Sequence, residues 1–399
     1  MPAPLFLDLS HTSHTRARTG VQRVGRSLRA ALGDEALAIT HDPYAGVWRP
    51  LEWWEEENLA DDSASENRGA RWPLGVRLRG RVCRWWTEGD GGKTPRAACD
   101  AAGLIVPEIF SPATAAAVPV LRSAVRGPSV ALFHDAIALK LPDLAPAKTV
   151  ARFPGYLREL LQFDGIAAVS EDSRDTLLDY WRWLGVDRHP PVVALPLAVE
   201  RKKNPLPAPT GESLLPVVLC VGSLEGRKNH VALLEACDQL WSRDLAFELH
   251  LIGLAHPQTG RDAVTQVRAL KAAGRSVRYD GPVGDAALED AYARCAFTVY
   301  PSLMEGFGLP VLESLAHAKP CVCSARGALG EAARGGGCIA LDSVDAGNLS
   351  TAIARLLEQP AELDALTTAA STRAFRPWSA YLAELSVWME SLPPRFKAR

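Results

Sequence analysis

Two glutamates of the C-terminal half, Glu305 and Glu313, lie on either side of a glycine-rich turn. A strand pattern ends before this turn, and Pro310 marks the first turn of a following helix, where the missing N–H of proline costs no hydrogen bond. Gly306 and Gly308 allow the backbone to approach a ligand closely. The segment reads Tyr300-Pro-Ser-Leu-Met-Glu-Gly-Phe-Gly-Leu-Pro-Val-Leu-Glu313. It therefore predicts a ligand site at the start of the helix.

The residue types at this turn indicate which ligand it would take. A helix start carries free N–H groups and about half a positive charge from the helix dipole, so it binds anions such as phosphate. Glu305 in the loop and Glu313 in the first helical turn are anions themselves, and they suit hydroxyl groups, from which they accept hydrogen bonds. Phosphate together with several hydroxyls describes a nucleotide-sugar. The alternative is that both glutamates are solvated residues that stabilise the helix dipole.

Two adjacent cations, Arg227 and Lys228, follow another strand pattern and precede a helix, in the segment Gly222-Ser-Leu-Glu-Gly-Arg-Lys-Asn229. A planar guanidinium and a point-like ammonium in one loop suit a diphosphate. The alternative is an ordinary solvated loop.

Two segments of the N-terminal half are further candidates. His134 and Asp135 follow a buried strand pattern, and Gly20 lies in a strand-to-helix turn, where glycine permits close approach of a phosphate. A structural role is the alternative for a lone histidine at the end of a strand.

These segments together resemble the motifs of the family-4 retaining glycosyltransferases, which have the GT-B fold. The segment from Glu305 to Glu313 is similar to the family's Glu-x7-Glu motif, and the likeness extends over residues 216–358. The resemblance implies that Glu313 holds the ribose hydroxyls of the donor. It implies that the donor sugar is held by Glu305 and by the backbone amides of Gly306, Phe307 and Gly308.

The same resemblance implies roles for the other segments. Arg227 and Lys228 match a loop whose cations neutralise the leaving diphosphate, and they would replace the metal ion that other transferases use. His134 matches a histidine that projects into the cleft against the donor sugar, so Glu305 and His134 are the candidate catalytic residues. Gly20 matches a loop that contacts the phosphate or the acceptor, and base contacts fall near Val283. No Asp-x-Asp pattern occurs in a fitting context, so we expect neither a metal ion nor a cofactor.

Two positions depart from the family pattern. Ala318 stands where the family has glycine, and Gly330 stands where the family has proline before the acid that matches Glu331. Neither side chain is expected to contact the donor, so these departures concern local geometry.

The elements that must position these residues alternate along the chain. After residue 216, short apolar strands alternate with helices in the way that is typical of a parallel doubly wound sheet. The N-terminal half repeats the theme, with strands at 5–9, 104–106, 129–133 and 166–169 and helices at 20–32 and 172–183. We therefore predict an α/β protein of GT-B type, with two doubly wound Rossmann-like domains that face each other across a cleft.

The length of 399 residues exceeds what a single hydrophobic core usually supports, so two domains are expected. A stretch rich in proline and charge at 201–216 predicts the linker. We place an acceptor-side domain at 1–205, a donor-binding domain at 206–376, and a helix at 377–399 that docks back on the first domain.

Residues 45–100 do not fit the alternation and are interpreted as an insertion, with a glycine-rich loop at 87–97. The insertion holds six of the eleven tryptophans, an acidic run at 55–57 and a basic, aromatic run at 71–86. Interleaved arginine and tryptophan favour a membrane surface, so a peripheral membrane contact through 71–86 is one hypothesis. The alternative is a folded subdomain whose tryptophans are core and whose arginines pair with the acids of 55–57.

Composition argues against several other classes of protein. A net charge of −2 gives no reason to expect nucleic acid as a partner. The N-terminus lacks a signal-peptide pattern, and the apolar runs fall far short of the ~20 residues of a membrane span. The eight cysteines form no Cys-x-x-Cys pair, and several lie in apolar strand patterns. We interpret them as reduced core thiols of a cytoplasmic protein.

We therefore expect a retaining hexosyltransferase that moves a hexose from a nucleoside-diphosphate sugar to a saccharide or lipid-linked saccharide in bacterial surface polysaccharide biosynthesis. The segment Thr19-Gly-Val-Gln-Arg23 resembles bacterial polysaccharide mannosyltransferases, which makes GDP-mannose the first donor to consider. The protein would be cytoplasmic, with any membrane contact on the inner face. The alternatives are a sugar-nucleotide epimerase of similar architecture and a non-catalytic subunit of a polysaccharide assembly complex.

Overall fold

The computed structural model describes residues 4–16, 20–61, 71–88, 101–201 and 215–393. The strands are β1 (Leu5–Asp8), β2 (Ala36–Asp42), β3 (Val47–Pro50), β4 (Gly103–Val106), β5 (Ser129–Phe133), β6 (Gly165–Ala168), β7 (Val192–Ala194), β8 (Val217–Val221), β9 (Glu248–Ile252), β10 (Val277–Tyr279), β11 (Phe297–Tyr300), β12 (Cys321–Ser324) and β13 (Cys338–Leu341).

The helices are α1 (Gly20–Leu32), α2 (Trp53–Ala60), α3 (Leu74–Glu88), α4 (Pro112–Ser123), α5 (Ile137–Lys140), α6 (Ala147–Glu159), α7 (Glu171–Trp183), α8 (His230–Trp241), α9 (Arg261–Ala272), α10 (Asp285–Arg294), α11 (Leu309–Ala316), α12 (Gly327–Ala333), α13 (Ala346–Glu358), α14 (Pro360–Thr372) and α15 (Trp378–Ser391).

The described strands form two sheets. The N-terminal sheet has the order β3-β2-β1-β4-β5-β6-β7, and the C-terminal sheet has the order β10-β9-β8-β11-β12-β13. Neighbouring strands are parallel throughout, except that β3 runs antiparallel to β2 at one edge. In each sheet the strand order reverses direction beside the first strand. This is the doubly wound arrangement, in which ligands bind beyond the carboxyl ends of the strands.

Both faces of each sheet are covered, as the continuous apolar strand patterns require. Along β5, Ala131 and Phe133 belong to one core cluster, whereas Val130 and Leu132 belong to another. This alternation follows from the two-residue period of a strand. The C-terminal sheet repeats it, since Val218 and Leu219 lie in separate clusters.

Helix α15 packs on the N-terminal sheet although it follows the C-terminal one in sequence. Tyr381, Leu385 and Met389 recur at the spacing of one helix face, and they share a core cluster with Leu7 and Leu28. The chain therefore crosses between the two halves twice. The boundary that we predicted at 205/206, and most of the predicted linker at 201–216, lie outside the described residues.

The segment 45–100 is only partly an insertion. Its first part forms β3 of the sheet, where Trp48 is buried and donates a hydrogen bond from Nε1 to the carbonyl of Ala117 (3.0 Å). Trp53 and Trp85 are exposed, so the expectation that the tryptophans are core is wrong for them. Most of the predicted loop at 87–97 lies outside the described residues.

The predicted ion pairing of this segment also needs correction. Glu55 pairs with Arg49 (2.6 Å) and Glu56 with Arg29 (3.4 Å), and neither arginine belongs to 71–86. Cys83 on α3 is exposed, so it is not the core thiol that the sequence predicted. Within the described residues, no helix combines the length and the apolar character needed to cross a bilayer.

Candidate active site

Two loops of the C-terminal sheet meet because β8 and β11 are adjacent parallel strands. The loop after β8 forms a 3-10 turn over Gly226–Lys228. The loop after β11 carries Glu305 and leads into α11. The N–H of Leu303 donates to the carbonyl of Arg227 (2.9 Å), which fixes one loop against the other.

Glu305 forms two ion pairs across these loops. The Nζ of Lys228 lies 2.5 Å from its Oε1, and the Nη1 of Arg227 lies 2.9 Å from its Oε2. Burial alone would raise the pKa of the Glu305 carboxyl, but the charges of Lys228 and Arg227 lower it to about 2. Glu305 is therefore ionised at neutral pH, and it accepts hydrogen bonds rather than giving a proton.

Arg227 has a second acidic neighbour, Glu225, at 2.8 Å. The ammonium of Lys228 also lies over the ring of Tyr300, 5.9 Å from its centroid. The two cations are thus held in place by acids and an aromatic ring. A diphosphate that enters this loop must compete with Glu225 and Glu305 for them.

The turn between Glu305 and α11 contacts the N-terminal domain. The carbonyl of Gly306 accepts hydrogen bonds from the hydroxyls of Ser170 (2.7 Å) and Ser173 (3.1 Å), which stand at the start of α7. A Cβ at Gly306 would lie 2.3 Å from the carbonyl oxygen of His134. Glycine is required here because the backbones of the two domains approach so closely.

His134 is buried at this junction. Its Nε2 lies 2.6 Å from the carbonyl of Pro107 and must carry a proton to donate to it. Burial lowers the pKa of the imidazole, so the ring is neutral at pH 7. The role against the donor sugar that the resemblance implies for this ring stays a prediction.

Glu313 faces the N-terminal domain. It lies in the second turn of α11 rather than in the first turn as we predicted, because α11 begins at Leu309. Its carboxylate forms an ion pair with Arg23 of α1. The charge of Glu313 raises the pKa of Arg23 further above its usual range.

A cavity of about 230 Å³ lies beside this ion pair, between α1, α10, α11 and the start of α15. Tyr292 and His317 line it, with their rings stacked at 4.4 Å, and the Nε2 of His317 lies 3.1 Å from Glu289. The cavity therefore opens next to the carboxylate that we predicted to hold the ribose.

The remaining predicted residues lie in or near the same region. Phe307 packs against core clusters of both domains. Gly308 has φ +84° at the N-cap of α11, a backbone conformation that favours glycine. Gly20 begins α1 and lies close to Leu309. Val283 packs against the cluster formed by Leu219, Ile252 and their neighbours.

Sequence reasoning missed several contacts that join the domains. It did not predict the contact of Ser170 with Gly306. Ser170 also caps α7, since the N–H of Ser173 donates to its hydroxyl (3.0 Å). It gave no role to Glu331, whose carboxylate accepts hydrogen bonds from the backbone N–H groups of Glu171 (3.0 Å) and Asp172 (2.7 Å). The only signals for this contact in the sequence were the acidic side chain of Glu331 and its position after a strand.

The two departures from the family pattern have local explanations. Ala318 adopts φ +56° just beyond α11, where a glycine would be relaxed. The Cα of Gly330 lies against the backbone of Ala325. A Cβ at this position would lie 2.0 Å from the carbonyl oxygen of Ala325. No larger residue fits at Gly330 without a shift of the chain.

Comparison with known proteins places this site in a family context. The family model described as glycosyl transferases group 1 matches residues 215–359. Among curated relatives, O-antigen chain mannosyltransferase B of Escherichia coli is 31% identical over 208 residues, which cover 49% of this chain and 52% of that protein. D-inositol 3-phosphate glycosyltransferase of Rhodococcus opacus is 27% identical over 265 residues, which cover 62% and 58%. The chain thus spans little more than half the length of these relatives.

Solved structures share the whole architecture. Sucrose-phosphate synthase of Thermosynechococcus elongatus matches with a TM-score of 0.66 at 18% identity, over 98% of this chain and 99% of that one. HepE of Anabaena, in complex with UDP and glucose, matches with a TM-score of 0.67 at 15% identity, over 98% and 100%. At this identity the likeness concerns the fold alone, and the predicted GT-B fold is confirmed.

Proposed function

Since the glycosyl transferases group 1 model matches residues 215–359, we propose that the protein transfers a hexose from a nucleoside-diphosphate sugar to an acceptor hydroxyl with retention of configuration. The observation that carries the proposal is the contact of Glu305 with Arg227 and Lys228. It places a carboxylate, which can accept hydrogen bonds from sugar hydroxyls, beside two cations that suit a diphosphate.

Each group has a role that follows from its charge. Arg227 and Lys228 bind the diphosphate and stabilise the negative charge that develops on it as the bond to the sugar breaks. Glu305 accepts hydrogen bonds from sugar hydroxyls. Glu313 accepts them from the ribose hydroxyls once its ion pair with Arg23 is broken. The amides at the start of α11 add further donors for phosphate.

The reaction that we propose needs no metal ion, because Arg227 and Lys228 would supply the positive charge that neutralises the diphosphate. The bond between the anomeric carbon and the phosphate oxygen breaks, and a bond from the same face to the acceptor oxygen forms. The departing phosphate takes the acceptor's proton. Glu305 suits a covalent nucleophile less well, since both of its oxygens are held by cations.

For the donor we propose GDP-mannose, since one relative carries the name of an O-antigen chain mannosyltransferase. The acceptor is a saccharide, either free or carried on a lipid, in the synthesis of a bacterial surface polysaccharide. We also propose that the enzyme is cytoplasmic, so that a lipid-carried acceptor would bring it to the inner face of a membrane.

A panel of GDP-, UDP- and dTDP-sugars tests the proposal. Incubation with saccharide acceptors should release free nucleotide and form a glycoside whose anomeric configuration, measured by NMR, equals that of the donor. An excess of EDTA should leave the rate unchanged. An isomerised sugar-nucleotide would identify an epimerase, an activity to which the comparisons lend no support. If the protein turned over none of the donors, a non-catalytic subunit would be favoured.

A further inference from the structure

Helix α3 presents an apolar face to solvent. Leu74, Leu78, Val82 and Trp85 are 71%, 62%, 56% and 77% exposed. At 100° per residue, these four positions fall within an arc of about 80° on one side of the helix. Trp53, at the start of α2, is 78% exposed. Five of the twelve large hydrophobic residues that are exposed in the described chain thus lie on these two short helices.

Other sides of α3 pack against the N-terminal domain, and these contacts hold the apolar face in a fixed orientation. A Cβ at Gly80 would lie 2.8 Å from the Cβ of Tyr44, which shows how closely the two backbones pack. The guanidinium groups of Arg77 and Arg81 lie 5.3 and 5.9 Å from the centroid of the Tyr44 ring. Arg79 forms an ion pair with Glu52, the N-cap residue of α2.

The helix also stands near the cleft. Trp72, just before α3, stacks on His14 at 3.8 Å, and the backbone N–H of Arg71 donates to the carbonyl of His14 (2.8 Å). His14 lies in the loop that follows β1, at the carboxyl edge of the N-terminal sheet. The apolar face is therefore attached to the edge of the sheet that borders the cleft.

Charge identifies the surface that fits this face. Residues 71–86 contain five arginines and no acidic residue. Two acids of the neighbouring segment are paired, Glu52 with Arg79, which is one of these five arginines, and Glu55 with Arg49. Apolar side chains flanked by arginines are the pattern of a helix that lies in the interface of a bilayer containing anionic lipids.

We propose that the exposed face of α3, formed by Leu74, Leu78, Val82 and Trp85, docks on a membrane surface rich in anionic phospholipid. The apolar side chains enter the acyl boundary, and the arginines stay at the level of the phosphates. This inference goes beyond the proposed transfer reaction and stands without it.

Vesicle flotation tests the proposal with the full chain. Vesicles of phosphatidylcholine with 30% phosphatidylglycerol are compared with pure phosphatidylcholine vesicles, in low salt and in 0.5 M NaCl. The test variant combines Leu78→Glu with Val82→Glu. The control combines Leu184→Glu with Val387→Glu, which makes the same charge change at apolar residues that are 47% and 67% exposed elsewhere.

Wild type and control should float with the anionic vesicles in low salt, and high salt should weaken their binding. The test variant should bind at least about 10-fold more weakly, since the loss of even one apolar side chain from the acyl boundary costs about that factor. Equal binding by test variant and control would overturn the proposal, and so would equal binding to neutral vesicles. A wild type that stays off vesicles and forms a dimer that the test variant abolishes, by light scattering, would make α3 a contact between two copies instead.

Discussion

Replacing Glu305 by glutamine removes a buried negative charge and leaves its two cationic partners in place. Glutamine has the shape of a protonated glutamate, so the substitution resembles protonation of the carboxyl in the folded state. The fold lowers the pKa of Glu305 from 4.5 to about 2. This lowering of the pKa corresponds to about 3 kcal/mol of stability that the ionised carboxylate contributes.

The sign of this contribution fixes its pH dependence. Because the pKa is lower in the folded state, the contribution is fully present above pH 4.5 and is lost as the pH falls towards 2. Glu305→Gln should therefore be less stable than wild type by about 3 kcal/mol at pH 7. The difference should narrow below pH 4.5, because only the wild type titrates there.

Calorimetry at pH 7 and at pH 3.5 measures the effect on the transition that contains the C-terminal domain. At pH 7 its melting temperature should fall by about 6–12 °C in Glu305→Gln. A nucleoside diphosphate should restore part of the loss, since its phosphates supply negative charge to Lys228 and Arg227. Sugar transfer should fall while nucleotide binding persists.

The matched control is Glu384→Gln, which removes the same charge from an exposed ion pair with Arg376. It should cost less than about 1 kcal/mol. The reasoning is refuted if Glu305→Gln is no less stable at pH 7 than this control, or if its difference from wild type does not change with pH.

Four further substitutions test separate parts of the structure. Gly306→Ala places a Cβ 2.3 Å from the His134 carbonyl and should force the domains apart, so kcat should fall at least about 100-fold and the radius of gyration should rise in X-ray scattering; an unchanged kcat would show that this contact is dispensable. Arg227→Ala and Lys228→Ala should each weaken nucleoside-diphosphate binding about 10- to 100-fold in calorimetric titration, because each removes a charge-assisted hydrogen bond; wild-type affinity would remove that cation from the site. Ala318→Gly should raise the unfolding free energy by about 1 kcal/mol, since it relieves φ +56°, and a lower melting temperature would contradict the strain argument.

The elements of the C-terminal half could be predicted because their signals are local. Strands β8 to β13 alternate with helices, as the apolar runs after residue 216 predicted. Helices α4 and α6 were not identified, and each contains an internal proline, Pro119 and Pro154, which interrupts the usual helix pattern.

The candidate site was predictable in part. A strand followed by glycines and a proline placed Glu305 and Gly308 at the start of a helix, and the pair Arg227 and Lys228 stood out by charge alone. The sequence did not indicate that Glu305 is the counter-ion of both cations. These residues are 77 and 78 positions from it in the chain, and they meet because β8 and β11 are neighbours in the sheet.

The sequence by itself therefore determined the βα alternation, the glycine-rich turn and the types of the charged residues, because periodicity, capping and turn chemistry act over a few residues. Only the tertiary structure decided that Arg23 faces Glu313, that Ser170 binds the carbonyl of Gly306, and which side of α3 meets solvent. Each of these depends on how two separately folded layers meet, and such contacts join residues that no local pattern relates.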